Sequence, residues 1–287
     1  MSVSRAADFW EKLDDGEIKC VLCPHYCEIS EGEVGKCGAR ANVDGALFAA
    51  SYGLITSIAL DPIEKKPLYM FNPGKMIVSL GGYGCNFSCP FCQNYGISLD
   101  YKEARTEYMS PELLCEVALL ALAEGNIGLA YTYNEPIIAY EFVKDCCTLI
   151  KQEGLLNVLV TNGYICSGPL EALLPYIDAI NIDIKGSDNR TYTKVGGKID
   201  DVKRTLEIAA GQCHVEVTTL VVPDENVDEI EDIAKWLSSI DPEIPYHLSR
   251  FYPRYRYSDK KPTSKEAMYK AYDIAGRYLK NVFLGNI

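Results

Sequence analysis

Three cysteines, Cys85, Cys89 and Cys92, stand within one short segment of the sequence, CNFSCPFCQN. Structural zinc usually takes four protein ligands, and simple iron–sulfur clusters are usually held by four cysteines. Three thiolates this close together therefore leave one coordination position to be filled. Either a fourth ligand comes from elsewhere in the chain, or the position is open to a substrate.

A second group of cysteines lies nearer the N-terminus, at Cys20, Cys23, Cys27 and Cys37. Four thiolates within eighteen residues can close a tetrahedral site made of sulfur ligands. The group therefore predicts a second metal site, either zinc or an auxiliary iron–sulfur cluster, with unliganded core thiols as the alternative. The remaining cysteines lie in apolar stretches and are expected to pack in the core: Cys115, Cys146, Cys147, Cys166 and Cys213.

The composition and net charge of the chain argue against several classes of protein. The chain has 287 residues, a net charge of −12 and a pI near 4.8, so no nucleic-acid partner is expected, because such affinity comes mostly from Lys and Arg. No apolar run reaches the roughly 18–20 residues of a membrane span. The first twenty residues suggest a polar amphipathic helix without a signal-peptide core. We therefore expect a cytoplasmic protein, in which clustered cysteines are metal ligands or catalysts rather than disulfides.

The elements that must position these cysteines alternate along most of the chain. Short apolar runs predict strands over 75–82, 127–133, 157–163, 178–185, 214–222, 246–252 and 281–286. Amphipathic stretches predict helices over 110–125, 137–154, 168–176, 199–211, 226–240 and 263–279. This alternation indicates an α/β fold with a parallel sheet, either doubly wound or a partial or full barrel.

We divide the chain into two parts. Residues 1–73 are interpreted as a small cysteine-rich N-terminal module, and residues 74–287 as the (β/α) domain. Within that domain, the loops after the strands are the expected place for chemistry. No GxGxxG or GxxxxGKS motif follows the first strand, which weakens the nucleotide-binding open sheet.

Polar residues gather at these strand ends together with the three-cysteine loop. They are Asn134 and Glu135, Asn162, Asp183 and Lys185, and His247 with Arg250. Each has a purely structural alternative. Glu135 could cap the following helix, Asp183 and Lys185 could simply pair with each other, and His247 could be a satisfied core histidine. Their convergence on the rim that also holds the cysteines favours a functional site.

These motifs resemble those of the radical S-adenosylmethionine (SAM) enzymes, in which C-x3-C-x2-C follows the first strand of a (β/α) domain. Phe91 matches the aromatic position before the last cysteine, and the resemblance covers about residues 74–287. More narrowly, the chain is similar to the pyruvate formate-lyase activating enzyme-related group and, within it, to the AmmeMemoRadiSam-system radical SAM enzymes. The segments that support this are CVLCPHYC, GEVGKCGAR, KPLYMFNPG, GCNFSCPFCQN, YTYNEP, TNGY, DIK and HLSRFYP.

The resemblance implies a partial or full TIM-like barrel in which Cys85, Cys89 and Cys92 hold a [4Fe–4S] cluster. SAM would then fill the open iron position through its amino nitrogen and carboxylate oxygen. One electron from the reduced cluster would break the C5′–S bond. The resulting 5′-deoxyadenosyl radical would abstract a hydrogen atom from a substrate that the sequence does not identify.

Residue roles follow from the same resemblance. The implied SAM contacts are Phe91, Asn134, Glu135, Asn162, Asp183 and Lys185. Glu135 would accept from the methionine ammonium, Lys185 would contact the methionine carboxylate, and Asp183 would orient the ribose or another partner. His247 and Arg250 are predicted as catalytic residues that face substrate or cofactor.

Three functions are weighed. The favoured one is a radical SAM enzyme that acts with Memo-like and AMMECR-like protein partners. An activase that installs a glycyl radical on a partner enzyme, as pyruvate formate-lyase activating enzyme does, is the second. A non-catalytic iron–sulfur electron carrier would explain the cysteines and the acidic charge but not the βα units. A ferredoxin or flavodoxin is the expected electron donor, and no membrane partner is expected.

Overall fold

The structure, a computed structural model, describes residues 5–287, and its N-terminal part is built from short antiparallel strands. They are β1 (Arg5–Ala6), β2 (Trp10–Lys12), β3 (Ile18–Cys20), β4 (Glu28–Ile29), β5 (Arg40–Val43), β6 (Ala46–Ala49) and β7 (Leu54–Ile55). Strands β1, β6 and β5 form one small sheet, and β2, β3 and β4 form another. These sheets place Cys20 at the end of β3 and the other three N-terminal cysteines on the loops that follow.

The helix predicted for the first twenty residues is wrong where the structure describes the chain. Strand β2 pairs antiparallel with β3, so that Trp10 lies opposite Cys20. The tight turn between these strands contains Gly16 at a φ of +81°. This left-handed conformation suits a glycine in a turn and does not occur inside a right-handed helix. Residues 1–4 of the predicted helix lie outside the described residues.

The rest of the chain builds the main sheet. The later strands are β8 (Ser57–Pro62), β9 (Met76–Gly81), β10 (Glu107–Tyr108), β11 (Asn126–Tyr131), β12 (Leu156–Thr161), β13 (Ala179–Asp183), β14 (His214–Val221), β15 (Tyr246–Arg250) and β16 (Val282–Gly285). All except β10, which pairs with β7, belong to one eight-stranded sheet in the order β16-β15-β14-β13-β12-β11-β9-β8. Neighbouring strands run parallel except β8 and β9.

The predicted α/β class is confirmed, and the sheet is open. Strands β8 and β16 are its two edges among residues 5–287, so a closed barrel is not what the strand pairing shows. The boundary that we predicted at residue 73 falls between β8 and β9, which pair along six residues of each strand. The main sheet therefore takes its antiparallel edge strand from the N-terminal part of the chain.

Helices lie between the parallel strands. They are α1 (Tyr95–Ser98), α2 (Pro111–Leu120), α3 (Tyr140–Gln152), α4 (Ser167–Leu173), α5 (Asn189–Val195), α6 (Ile199–Ala210), α7 (Ile230–Ile240) and α8 (Lys265–Ala275). As the Ser-Pro pair suggests, Ser110 caps α2 by accepting a hydrogen bond from the Leu113 N–H. The sequence analysis missed α5, a short polar helix that begins at an Asp188 cap.

The two faces of the sheet differ in chemistry. On β13, Ile180 and Ile182 enter the main hydrophobic core, whereas Asn181 and Asp183 line a cleft on the opposite face. This alternation follows from the period of two in a β-strand. The main core also includes Ile18 of β3, so the N-terminal sheets and the (β/α) part share one continuous apolar interior.

A segment after β8 crosses the cleft face of the sheet. The Asn181 side-chain amide donates to the Pro67 carbonyl at 2.7 Å. Two carboxylate oxygens of Glu216 accept from the backbone N–H groups of Tyr69 and Met70, at 3.0 and 2.8 Å. The segment is therefore fixed by polar side chains that point out of β13 and β14.

Candidate active site

One cleft of about 400 Å³ opens at the carboxyl ends of the parallel strands. It brings together the residues that were predicted as cluster ligands or as SAM contacts. The lining includes Cys85, Cys89, Phe91, Cys92, Asn134, Glu135, Asn162, Asp183 and Lys185. These residues come from the ends of β9, β11, β12 and β13, which are neighbours in the sheet.

The three thiols of the cleft lie on the loop that follows β9. The Phe87 N–H donates to the Cys85 sulfur at 3.3 Å, and the Asn162 side-chain amide lies 3.8 Å from the same sulfur. Burial raises the pKa of Cys85 and of Cys92, and it raises the pKa of Cys89 to about 12 against the opposing effect of Lys185. Metal binding at such buried thiols must therefore release protons.

Glu135 is a buried carboxylate with hydrogen-bonding capacity to spare. One oxygen accepts from the Thr161 hydroxyl at 2.7 Å and from the Ile137 N–H at 3.2 Å, and the other accepts from the Asn162 N–H at 2.7 Å. Burial raises the pKa of Glu135 to about 7, although these hydrogen bonds act to lower it. A carboxylate offers about four acceptor sites, so one site remains free on the oxygen that faces Asn162. The helix-cap alternative is also realised, because Ile137 lies in the first turn after Glu135.

Lys185 and Asp183 form an ion pair at 2.6 Å in the wall of the cleft. Burial acts to lower the pKa of Lys185, but the Asp183 carboxylate raises it above the usual lysine value. An ammonium has three donors, so two of them remain for a ligand. The predicted pairing of the two residues is present, and it leaves both groups at the cleft.

Three buried polar atoms in this wall of the cleft have no hydrogen-bond partner within residues 5–287. They are the second carboxylate oxygen of Asp183, the side-chain oxygen of Asn181 and the hydroxyl of Thr218. All three residues line the cleft. A buried polar atom without a partner costs about 1–3 kcal/mol. The donor and acceptor set of this wall therefore fits a polar ligand with hydroxyl and amino groups, as SAM has.

The two asparagines of the cleft hold the thiol loop in place. The Asn134 side chain accepts from the Gly82 N–H and donates to the Gly84 carbonyl, each at 3.0 Å. The Asn162 amide donates to the Asn86 side-chain oxygen at 2.8 Å. Both residues lie at the ends of neighbouring strands, and from there they hold the thiol loop in position.

Sequence reasoning missed several polar residues of the cleft, notably Lys66, Tyr133 and Ser249. Asp61 of β8 accepts from the Lys66 ammonium at 2.9 Å and from the Tyr133 hydroxyl at 2.8 Å. The adjacent lysines of the EKKP segment were a possible signal. No signal in the sequence pointed to their buried partner Asp61, because that contact depends on β8 joining the main sheet.

The two predicted catalytic residues are not brought to the cleft. His247 is buried, and its Nε2 lies 2.6 Å from Glu216, which also lies 2.9 Å from His214 Nε2. Arg250 donates to the Thr263 carbonyl at 2.7 Å and to the Tyr252 hydroxyl at 3.0 Å. The structure thus places His247 in a buried polar network of the sheet, the alternative noted for it above.

The four N-terminal cysteines lie together at a different place. Cys20, Cys23, Cys27 and Cys37 all line a small cavity of about 20 Å³. Within residues 5–287, no three His, Cys, Asp or Glu side chains are already gathered at ligand distances around one point. In the same range, no helix is both long enough and apolar enough to pass through a bilayer.

Comparison with known proteins adds to this geometry. A family model described as the Radical SAM superfamily matches residues 80–237. An uncharacterized protein of Methanocaldococcus jannaschii is 42% identical, over 99% of this chain and 85% of its own. The pyruvate formate-lyase-activating enzyme of Clostridium pasteurianum is 27% identical, over 57% of this chain and 72% of its own.

Solved structures resemble the fold at low sequence identity. The crystal structure of Streptococcus suis SuiB bound to precursor peptide SuiA aligns with a TM-score of 0.55 and 14% identity. The alignment covers 71% of this chain and 47% of that chain. At this level of identity, the likeness shows a shared fold.

Proposed function

Because the chain belongs to the radical SAM superfamily of enzymes, whose members use a [4Fe–4S] cluster and SAM, we propose that its cleft binds both and cleaves SAM reductively. The observation that carries this proposal is the convergence of three thiols with Glu135 and Lys185 on one cleft of about 400 Å³. When bound together, cluster and SAM supply a 5′-deoxyadenosyl radical, which abstracts a hydrogen atom from a substrate.

The residues of the chain bind and orient these groups. Cys85, Cys89 and Cys92 would hold the [4Fe–4S] cluster and leave one coordination position to SAM. Glu135 accepts from the methionine ammonium with its free acceptor site, and the spare donors of Lys185 bind the methionine carboxylate. The Asp183 oxygen that has no hydrogen-bond partner within residues 5–287 would accept from a ribose hydroxyl.

Other cleft residues have supporting roles. Phe91 is buried, and its backbone would contact the adenine. Asn134 and Asn162 hold the loop that contains the thiols, and Asn162 would also contact the ribose. His247 and Arg250 receive no contact with reacting atoms in this proposal, since neither lines the cleft.

Two arrangements of partners are proposed. One arrangement has the enzyme act with Memo-like and AMMECR-like partners in the cytoplasm, with a ferredoxin or flavodoxin as the electron donor. A second candidate is a glycyl-radical activase, which is favoured by the identity to a pyruvate formate-lyase-activating enzyme. The activase would abstract a backbone hydrogen atom from its partner enzyme.

A second metal site, zinc or an auxiliary cluster, at the four N-terminal cysteines is part of the proposed function. A non-catalytic electron carrier, the alternative function, would need only the cysteines that bind its metal. It leaves unexplained why Glu135, Asp183 and Lys185 line the same cleft as the thiols.

The test is formation of 5′-deoxyadenosine. The protein is reconstituted with iron and sulfide without oxygen, then given SAM and dithionite, beside the variants Cys92→Ala and Cys213→Ala. We expect product from the unmodified protein and from Cys213→Ala, because Cys213 lies outside the cleft, and none from Cys92→Ala. Equal product from Cys92→Ala would overturn the assignment of the cleft. No product from a protein with a complete cluster would support the electron carrier.

A further inference from the structure

The four N-terminal cysteines converge from two loops. Cys20 ends β3, Cys23 and Cys27 lie between β3 and β4, and Cys37 precedes β5. The Cys20 N–H donates to the Cys27 carbonyl at 2.9 Å, so the first loop closes on itself. All four side chains line one small cavity.

A buried cation without a full set of partners lines the same cavity. Arg40 is 1% exposed, and its Nη1 binds both carboxylate oxygens of Glu141 at 3.0 and 3.1 Å. Its Nε is buried and has no hydrogen-bond partner in the part of the chain that the structure describes. Lys36 also lines the cavity. A divalent ion with four thiolates carries a net charge of −2, and Lys36 offsets part of it. The charge of Arg40 is already paired with Glu141, so Arg40 contributes its unused Nε donor.

The size of the cavity favours a single ion over a cluster. Its volume is about 20 Å³, against about 400 Å³ for the cleft that holds the other three thiols. A space of 10–15 Å³ holds about one water molecule, so this cavity has room for one ion. A four-iron cluster needs space for four iron and four sulfide atoms.

We propose that Cys20, Cys23, Cys27 and Cys37 bind a single Zn²⁺ ion, rather than an auxiliary iron–sulfur cluster. Four thiolates form the tetrahedral sulfur site that zinc accepts, and zinc binds such ligands more tightly than iron(II) does. The structure does not hold three of these thiols around one point, so binding requires the side chains to rearrange.

The zinc site braces the loop of the cleft thiols, and this part of the inference rests on the proposed function. His25, two residues after Cys23, has its Nε2 2.7 Å from the carbonyl of Asn86, the neighbour of Cys85. On the other side, Gly84 has a φ of +85°, and a Cβ there would lie 2.3 Å from the Cys37 carbonyl oxygen. The two loops that would bind zinc therefore contact the loop of the cleft thiols directly, on both sides of Cys85.

The test uses the full chain with Cys85, Cys89 and Cys92 all replaced by alanine, so that bound metal reports the N-terminal site. The protein is offered Zn²⁺ in one preparation, and iron, sulfide and reductant in another. Metal and acid-labile sulfide per chain are then measured. We expect one zinc and no sulfide, and at least a tenfold loss of zinc on the further change Cys23→Ser. The matched change Cys213→Ser should keep one zinc.

X-ray absorption at the zinc edge identifies the zinc ligands directly. The test therefore does not depend on whether the Cys23→Ser variant folds. We expect four sulfur ligands at about 2.3 Å. Iron bound together with sulfide, a zinc shell of nitrogen or oxygen ligands, or no bound metal would each overturn the inference. Because this experiment contains no SAM, its failure is separate from a failure to form 5′-deoxyadenosine.

Discussion

Glu135 and Lys185 show how single residues prepare the cleft for a zwitterionic ligand. Each is largely buried and held by protein groups, yet each keeps unused hydrogen-bonding capacity. A carboxylate acceptor and an ammonium donor on one cleft match the amino and carboxylate ends of an amino acid. Burial raises the pKa of Glu135 to about 7, and a cationic ligand beside it would favour the ionised form.

At the level of single residues, we predict that Glu135→Gln weakens SAM binding. The change removes the acceptor for the methionine ammonium and places an amide donor against donors that already point at the site. Hydrogen bonds to charged groups contribute about 1.5–3 kcal/mol, which corresponds to a roughly 10- to 100-fold higher Kd for SAM. Anaerobic calorimetry measures this, with the exposed Glu124→Gln as a control. An unchanged Kd would contradict the role of Glu135.

Strand β14 and the segment after β8 form a second polar unit on the sheet. Glu216 of β14 is fully buried and accepts from two backbone N–H groups of the segment, and it lies beside His214 and His247. Burial acts to raise the pKa of Glu216, but these four partners lower it to about 2. The carboxylate therefore fixes the segment only while it is ionised.

We predict that Glu216→Gln lowers the free energy of unfolding by about 3 kcal/mol at pH 7, since one pKa unit corresponds to 1.36 kcal/mol. A lowered carboxyl pKa stabilises the fold above the unfolded-state value, and this stabilisation is lost as the pH falls toward the folded-state value. The difference between the variant and the unmodified protein should therefore be full at pH 7 and smaller at pH 3.

Urea denaturation at the two pH values measures this difference, and Glu207→Gln on the exposed side of α6 is the control. A difference in stability that stays the same from pH 7 to pH 3 would contradict the proposed role of the Glu216 charge.

The contact between the N-terminal cysteine loops and the loop of the cleft thiols is also a contact between structural elements. We predict that Gly84→Ala destabilises the protein by about 1–3 kcal/mol, because a non-glycine residue at positive φ is strained and the added Cβ meets the Cys37 carbonyl. The iron content after reconstitution should also fall.

Thermal unfolding and iron analysis check both effects. Gly96→Ala is the matched control, because a Cβ at Gly96 meets nothing within 4 Å. Equal stability and iron content in the two variants would show that the close approach of the loops is unimportant.

At the scale of the whole molecule, one open sheet organises the separate sites. Its helix-covered face holds the main core, and its other face holds the cleft, with an apolar cluster of Ile63, Leu68 and Ile77 below it. The N-terminal sheets join the main core and reach the loop that contains the cleft thiols. The parts of the chain with the two cysteine groups are therefore in direct contact.

Local patterns predicted the regular parts of this structure. The alternation on β13, the Ser110 cap and the polar strand ends all depend on neighbouring residues, and the sequence shows them directly. Partners far apart in the chain could not be predicted in the same way. His247 meets Glu216 only because β14 and β15 pair, and Tyr133 meets Asp61 only because β8 joins the sheet.

The measurement that tests the central claim most directly is electron paramagnetic resonance of the reduced, reconstituted protein with and without SAM. It requires neither a substrate nor a partner protein. We predict that SAM changes the signal of the [4Fe–4S] cluster in the unmodified protein, that Glu135→Gln needs more SAM for the same change, and that Cys92→Ala lacks the response. A strong cluster signal that saturating SAM leaves unchanged would contradict the account.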